Sequence, residues 1–287
     1  MNKKLSDQVK KYMRKEILFC EISPLTYEIS LKKEVAKRAI KDLRSKEKYA
    51  KEKKQETLPC LVAEHVSCMI RKAPGIDITL QQNKAVNIDL AGKTFDHLMI
   101  HPGETFSFWK NVGPTTPKRG YKDGRVIKDG KLIPGSGGGL CNLANTLHLL
   151  VLESPLTVTE LHFHSDALAP DEGPRVPFSS GTSVGYNNVD FRFVNDTDQD
   201  FQLLSWCEGE MHYAQLRCEH EIPYYYKLVE EDHHFAKEKD KYYRISKIYR
   251  ETYDKANGTL VKKELIRDNH SEVMFDPSLI PPSLLRQ

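Results

Sequence analysis

Four of the five residues from Gly135 to Gly139 are glycine, and an apolar helical pattern begins at the very next position. Large apolar residues recur at Leu140, Leu143, Leu147 and Leu150, with Ala144 and Val151 beside them. That three-and-four spacing marks a helix with one buried stripe. Glycines leading straight into such a helix point to close backbone approach, either to a substrate or to another chain segment. Cys141 falls in the first turn of this helix, and Asn145 and His148 lie on its side, next to the stripe. The positive end of a helix, with its unpaired N–H groups, favours thiolate, the reactive form of cysteine. The structural alternative is a small buried core cysteine beside a tight turn. A phosphate loop does not fit, because the lysine and Ser/Thr that follow the glycines in such loops are missing.

The 287 residues, 39% hydrophobic, are enough for one large or two modest domains with a real core. Charge is plentiful but balanced, 43 basic against 40 acidic residues, and the resulting +3 gives no reason to expect nucleic acid as a partner. Near the start, the apolar run Ile17-Leu18-Phe19-Cys20 is much shorter than the roughly 7–15 residues of a signal-peptide core. No stretch approaches the ~18 apolar residues of a membrane span. The expected location is the cytoplasm, where Cys20, Cys60, Cys68, Cys141, Cys207 and Cys218 are thiols. None of them forms a Cys-x-x-Cys pair, which argues against a zinc ribbon.

Residues 31–56 read as a basic helical segment with Leu31, Val35, Ala36, Ala39, Ile40 and Leu43 on one stripe. Glutamates interleaved with its lysines favour a solvated face over an anion-binding one. A boundary is expected at residue 57. Residues 84–98 suggest a second helix, and residues 105–108 a short strand after the Pro102-Gly103 turn. Asp129-Gly130 between Val126-Ile127 and Leu132-Ile133 predicts a hairpin tip. The Cys141 helix should stop at Ser154, before Pro155. Residues 156–164 alternate as a strand with His162 and His164 on one face. A turn-rich loop spans 170–185, and a meander of short strands is expected over 189–194, 201–206 and 211–218. Residues 242–249 and 259–266 form a hairpin around Asn257-Gly258, and a proline-rich tail follows from 276. The fold class is α+β: antiparallel sheets with a few packed helices, the glycine-rich loop leading into a central helix that starts at the cysteine.

Cys141 at a helix start, His162 and His164 on a strand, and Asp190 opening the next strand have the order of a nucleophile, a base and an orienting acid. N–H groups at the helix start, with Asn142 beside them, would suit an oxyanion. Gly137, Gly138, Gly139, Asn142, Asn145 and Ser165 are the candidate substrate contacts. Each also has a plain structural reading: a histidine bonded at a sheet surface, or an aspartate satisfying a turn. His-x-His with Cys141 also suits a metal, although no fourth ligand stands out.

Several motifs in order carry a resemblance. They are Pro102-Gly103-Glu104-Thr105-Phe106-Ser107-Phe108-Trp109; Arg119-Gly120-Tyr121; Gly137-Gly138-Gly139-Leu140-Cys141-Asn142-Leu143-Ala144-Asn145; Pro155 to Glu160 with His162-Phe163-His164-Ser165; Val189-Asp190-Phe191; and Asn195-Asp196-Thr197. Together they resemble the VanW family over residues 58–218. The resemblance implies a family-like core at 58–220, between a basic helical segment at 1–57 and a β-hairpin extension and tail at 221–287. It implies cysteine-dependent acyl transfer of the L,D-transpeptidase type on peptidoglycan peptides or precursors, with Cys141 as nucleophile, His164 as base and no cofactor. An accessory role in glycopeptide resistance follows from the same resemblance. Three positions depart from the family pattern. Asn142 stands where glutamine is common, and Leu161 where arginine is. Gly181-Thr182-Ser183-Val184 lacks the acid of a Gly-x-Asp-Ala-Thr-Val segment, leaving Asp190 as the acid candidate. The rival readings are a non-catalytic binding module on the same fold and a Cys/His metal site. The sequence carries no signal for oligomeric state.

Overall fold

The computed structural model describes residues 19–72, 77–128, 131–164, 166–167, 170, 181–186 and 189–286, with the side chains of residues 21, 24, 127–128 and 131–134 left aside. Two compact units result, Met1–Lys46 and Glu47–Gln287. In the first, helix α1 (Pro24–Arg44) opens on a capping box. The Ser23 hydroxyl accepts from the Thr26 N–H at 3.2 Å, and the Thr26 hydroxyl accepts from the Ser23 N–H at 2.9 Å. This helix begins before and ends before the expected 31–56. Residues 46–54 are nearly all charged and have no apolar repeat to hold a helix down. Leu31, Ile40 and Leu43 of the expected stripe are exposed.

The second unit runs β1 (Lys48–Tyr49), β2 (Cys60–Cys68), α2 (Ile78–Phe95), β3 (Leu98–Ile100), β4 (Glu104–Ser107), α3 (Phe108–Val112), β5 (Asp123–Lys128), β6 (Lys131–Ser136) and α4 (Leu140–Leu152). It continues with β7 (Thr157–Glu160), β8 (Asp166–Ala167), β9 (Arg192–Val194), β10 (Phe201–Glu208), β11 (Met211–Cys218), β12 (Tyr224–Glu238), β13 (Lys241–Asp254), β14 (Leu260–Val273) and β15 (Leu285–Arg286). The α+β class expected from the sequence is what is found. One sheet has the order β2-β11-β10-β3 and a second β1-β4-β9-β7; β5 and β6 form a hairpin, whose tip Asp129-Gly130 lies outside the described residues. The third sheet, β15-β12-β13-β14-β8, is built from the long C-terminal strands.

Between the first two sheets lies a core of phenylalanines. Phe106 stacks on Phe193 with ring centroids 4.8 Å apart, and Phe95 meets Phe106 edge-on at 5.7 Å. Helix α4 buries Leu140, Leu143, Leu147, Leu150 and Val151, as its spacing predicts. Its far end meets the third sheet, where Leu152 packs with Ile248 and the Ser154 carbonyl accepts from Arg250 at 3.4 Å.

Four expectations are revised. Helix α2 starts at Ile78 rather than 84, because Asp77 caps it by accepting from the N–H of Thr79 and Leu80. The strand expected over 156–164 ends at Glu160, so His162 and His164 lie beyond β7; Phe163 keeps one antiparallel bridge, to Thr182. The meander splits: β9 pairs with β4 and β7, whereas β10 pairs with β11 and β3. Buried Asn195 makes that change of sheet, donating to Ile100 O and Gln199 O at 2.8 Å each. The C-terminal hairpin gains a third long strand, β12, whose register shift between Glu231 and His234 breaks the two-residue alternation that would have announced it. No described helix is long and apolar enough to cross a membrane.

Candidate functional site

The glycine corner is a close-packed junction of chain segments. A Cβ on Gly138 would run into the backbone of Gly124 in β5, and one on Gly137 would sit 2.6 Å from the Thr115 side chain. Gly139, the residue before α4, has φ +99° and lies against the Lys84 side chain. Asn87 of α2, fully buried, pins the corner from beneath. Its amide donates to Lys122 O at 2.9 Å and Gly138 O at 3.0 Å, and its oxygen accepts from Lys122 N–H at 2.8 Å. Of the two partners expected for the glycines, a neighbouring chain segment accounts for their lack of side chains.

Cys141 is the second residue of α4 and is partly buried. Its thiol points to the carbonyl of Val184 at 3.8 Å. Burial pushes the thiol up from its ordinary value, against the opposing pull of backbone hydrogen bonds. Val184 ends a short extended strip, 181–184, that several candidates share. Ser183 N–H donates to His162 O at 2.7 Å. The Thr182 hydroxyl lies 3.0 Å from Nδ1 of His148, two turns along α4 from Cys141. A Cβ on Gly181 would lie 3.1 Å from the His164 ring.

The histidines differ in setting. His148 is fully buried between Phe163 and Phe191, and burial, assisted by the Arg267 charge, drives its pKa down to about 3. His164 is partly buried; burial first and Arg267 second lower it as well, against Asp166. It is therefore neutral at pH 7, as a base must be. His162 is exposed and pairs with Glu160 at 3.1 Å, an acid that the sequence reading did not single out.

Asp190 is engaged elsewhere. Its buried carboxylate accepts from Ser107 Oγ at 2.6 Å, Trp109 N–H at 3.1 Å, Phe191 N–H at 2.9 Å and Arg192 Nε at 2.7 Å. Those bonds tie the β4–α3 corner to β9. Asn142 turns toward β2, where its Oδ1 accepts from Ser67 Oγ at 3.0 Å. Asn145, one turn beyond Cys141, has a buried Oδ1 with no hydrogen-bond partner. Ser165 lies outside the described residues. Among the described residues no three His, Cys, Asp or Glu side chains group to hold a metal ion. A cleft of about 330 Å³ lies away from these candidates, lined by Cys60–Val62 and Tyr224–Tyr226 with Glu153 and Lys255.

Lys84, Asn87, His148 and Thr182 were not among the candidates. A signal existed for the first two: Lys84, Asn87, Ile88 and Ala91 share one helical face, so two polar groups sit inside an apolar stripe. Lys84 is 9% exposed and has neither a hydrogen bond nor an ion pair. Burial, then the charge of Arg71, lowers its pKa to about 8; Arg125 adds to this and Cys68 opposes it.

Residues 83–217 match the family described as VanW like protein. The chain is 29% identical over 227 residues to the vancomycin B-type resistance protein VanW of Enterococcus faecalis, covering 79% of this chain and 82% of that protein. It is 34% identical over 118 residues to the uncharacterized protein YoaR of Bacillus subtilis, covering 41% of this chain and 37% of that one. No solved structure matches.

Proposed function

This chain belongs to the VanW family, and from that premise we propose that it is a cysteine-dependent acyl transferase acting on peptidoglycan-type peptides or their precursors. The observation that carries the reading is strip 181–184, which meets the Cys141 thiol at Val184 and the His164 ring at Gly181. Gly181 and Val184 are three residues apart, a reach of at most about 10 Å of chain. Burial favours the protonated thiol at rest, and on this reading the thiol and His164 approach when substrate enters. His164 takes the thiol proton, and the thiolate attacks a peptide carbonyl. The N–H groups of Leu140 and Cys141, which have no acceptor within the helix, face the oxyanion that develops. Collapse breaks the C–N bond, the departing amine takes the proton from His164, and a thioester remains on Cys141. A second amine attacks the thioester, forms the new amide and restores the thiol. The name of the enterococcal relative supports an accessory role in vancomycin resistance.

The second reading is a binding module without chemistry. It draws on the raised Cys141 thiol and on Asp190's commitment to Ser107, Trp109, Phe191 and Arg192. Muropeptide turnover by the parent and by the Cys141→Ser variant decides between them. The transferase reading expects turnover that Cys141→Ser abolishes; equal turnover ends it. The rate of iodoacetamide labelling of Cys141 against pH separates the two further. A binding module keeps an ordinary or raised thiol even with peptide present, whereas a transferase shows accelerated labelling that depends on His164.

A further inference from the structure

Helix α1 exposes its apolar stripe and covers part of its charged side. At 3.6 residues per turn, Leu25, Ile29, Ala36, Ala39, Ile40 and Leu43 fall within an arc of about 100°. All six are exposed, Leu25 at 66% and Leu43 at 85%. Arg38 and Asp42, on the side away from the stripe, pair at 3.5 Å, and their side chains are only 12% and 10% exposed. A surface helix ordinarily does the opposite, burying its apolar stripe and leaving its charges in water. The cations are sorted too. Lys33, Arg44, Lys37 and Lys41 follow one edge of the stripe, Lys32 lies within it, and all five are exposed. Asp42 and Glu34, which pairs with Lys37 at 2.7 Å, fall on the far side, and Glu28 lies beyond the other edge. Acidic and basic residues that alternate in sequence are thus separated on the helix surface.

We propose that α1 is an interfacial helix that docks the protein on a membrane surface rich in anionic phospholipid. The helix is not apolar enough to cross a bilayer. Lying flat, its 21 residues present a stripe about 30 Å long that sinks just below the headgroups, while the cations along one edge meet lipid phosphates. Lys32 reaches the headgroups from within the stripe along its four-carbon stem. Charge and side-chain size decide against two other occupants. A second copy would set Lys32, Ala36 and Ala39 in the middle of the seam, where paired helices need large apolar residues, and would bring two basic edges together. A nucleic acid would take the basic edge and leave Leu25, Ile29, Ile40 and Leu43 in water. An anionic bilayer satisfies the stripe and the edge together. The proposal concerns the first unit alone and does not depend on the chemistry proposed at Cys141.

The test uses the full chain and flotation with vesicles of two compositions, phosphatidylcholine alone and an equal mixture of phosphatidylcholine and phosphatidylglycerol. Binding to the mixed vesicles is expected to be at least tenfold tighter than to phosphatidylcholine, and to weaken as salt is raised. The double variant Ile40→Gln/Leu43→Gln keeps the charge and interrupts the stripe. Both positions are exposed, so Tm should hold while affinity for the mixed vesicles falls at least tenfold. Leu31→Gln is the control: this residue is also exposed, but it sits about 120° around the helix from Leu43, and the variant should bind as the parent does. Lys33→Gln/Lys41→Gln should cut the preference for mixed vesicles at least threefold. Equal binding to the two compositions, binding to neither, or an equal loss in Leu31→Gln and in the stripe variant overturns the proposal. So does a parent that sediments as a dimer, ignores vesicles and becomes a monomer in Ile40→Gln/Leu43→Gln, because the stripe then belongs to a second copy of the chain.

Discussion

His148 should make the fold acid-sensitive, by an amount that can be worked out. The side chain is fully buried, faces Thr182, Phe163 and Phe191, and feels the Arg267 charge. Its pKa falls from 6.5 when unfolded to about 3 when folded. A histidine lowered by folding contributes stability that is complete above pH 6.5 and drains away as pH falls toward 3. Within that window the unfolded chain binds one more proton at this site, so stability changes by about 1.4 kcal/mol per pH unit. Across the whole window the ceiling is about 5 kcal/mol, a large part of the 5–15 kcal/mol typical of a domain. His148→Asn removes the titration and keeps an amide near Nδ1 to meet the Thr182 hydroxyl. Urea unfolding followed by Trp109 and Trp206 fluorescence, run at half-unit steps from pH 7 to 4.5, gives the two stability curves. His212, buried and lowered to about 4, steepens both curves alike and cancels in the difference. The parent should lose stability faster than the variant by about 1 kcal/mol or more per pH unit below 6. Parallel curves over that range would refute the assignment of a buried neutral histidine at the base of strip 181–184.

Asn87→Ala strands the buried Gly138 carbonyl and the part-buried N–H and carbonyl of Lys122, and should cost about 2 kcal/mol, read as a lower urea midpoint with an unchanged slope. Asn87→Asp, unable to donate, should be no better. Asp190→Asn leaves Arg192 short of its closest carboxylate and should destabilise by about 3–5 kcal/mol; because no role as an orienting acid is given to Asp190, the pH profile of any remaining turnover should not move. Lys84→Met should exceed the parent in stability below pH 8, and the advantage should close between pH 8 and 10.5, since a lysine lowered by folding costs stability until the unfolded chain also loses its proton. Denaturation of both proteins at pH 7, 9 and 10.5 checks the sign.

The helix at Cys141 was legible because Leu140, Leu143, Leu147 and Leu150 repeat at a helical period, and the glycines before it could only serve close approach. The α+β class followed from the same periodicities. What escaped was long-range. Nothing local marks Asn195 as the point where the chain changes sheet, since its partners Ile100 and Gln199 declare themselves only in three dimensions. The first turns of helix α2, before Lys84, were hidden because Gln81 is a polar residue on a buried face, where it accepts from the Arg71 N–H. Asp190 looked like an acid at a strand start; its role depends on Ser107 and Trp109, more than 80 residues away in sequence. His162 and His164 were read as sharing a strand face, but the strand stops at Glu160, and one ring faces solvent while the other sits under Gly181.

Trapping the covalent intermediate tests the central claim most directly. The parent protein, mixed with an acetylated stem peptide whose last bond joins an L-centre to a D-residue and quenched in acid within seconds, is digested and analysed by mass spectrometry. The account predicts one adduct, on the peptide containing Cys141, with the mass of the substrate less the amine that leaves. It also predicts that the adduct is absent in Cys141→Ala and slowed at least a hundredfold in His164→Ala. An unmodified Cys141 in protein that turns the peptide over, or an adduct that forms equally well without His164, would contradict it.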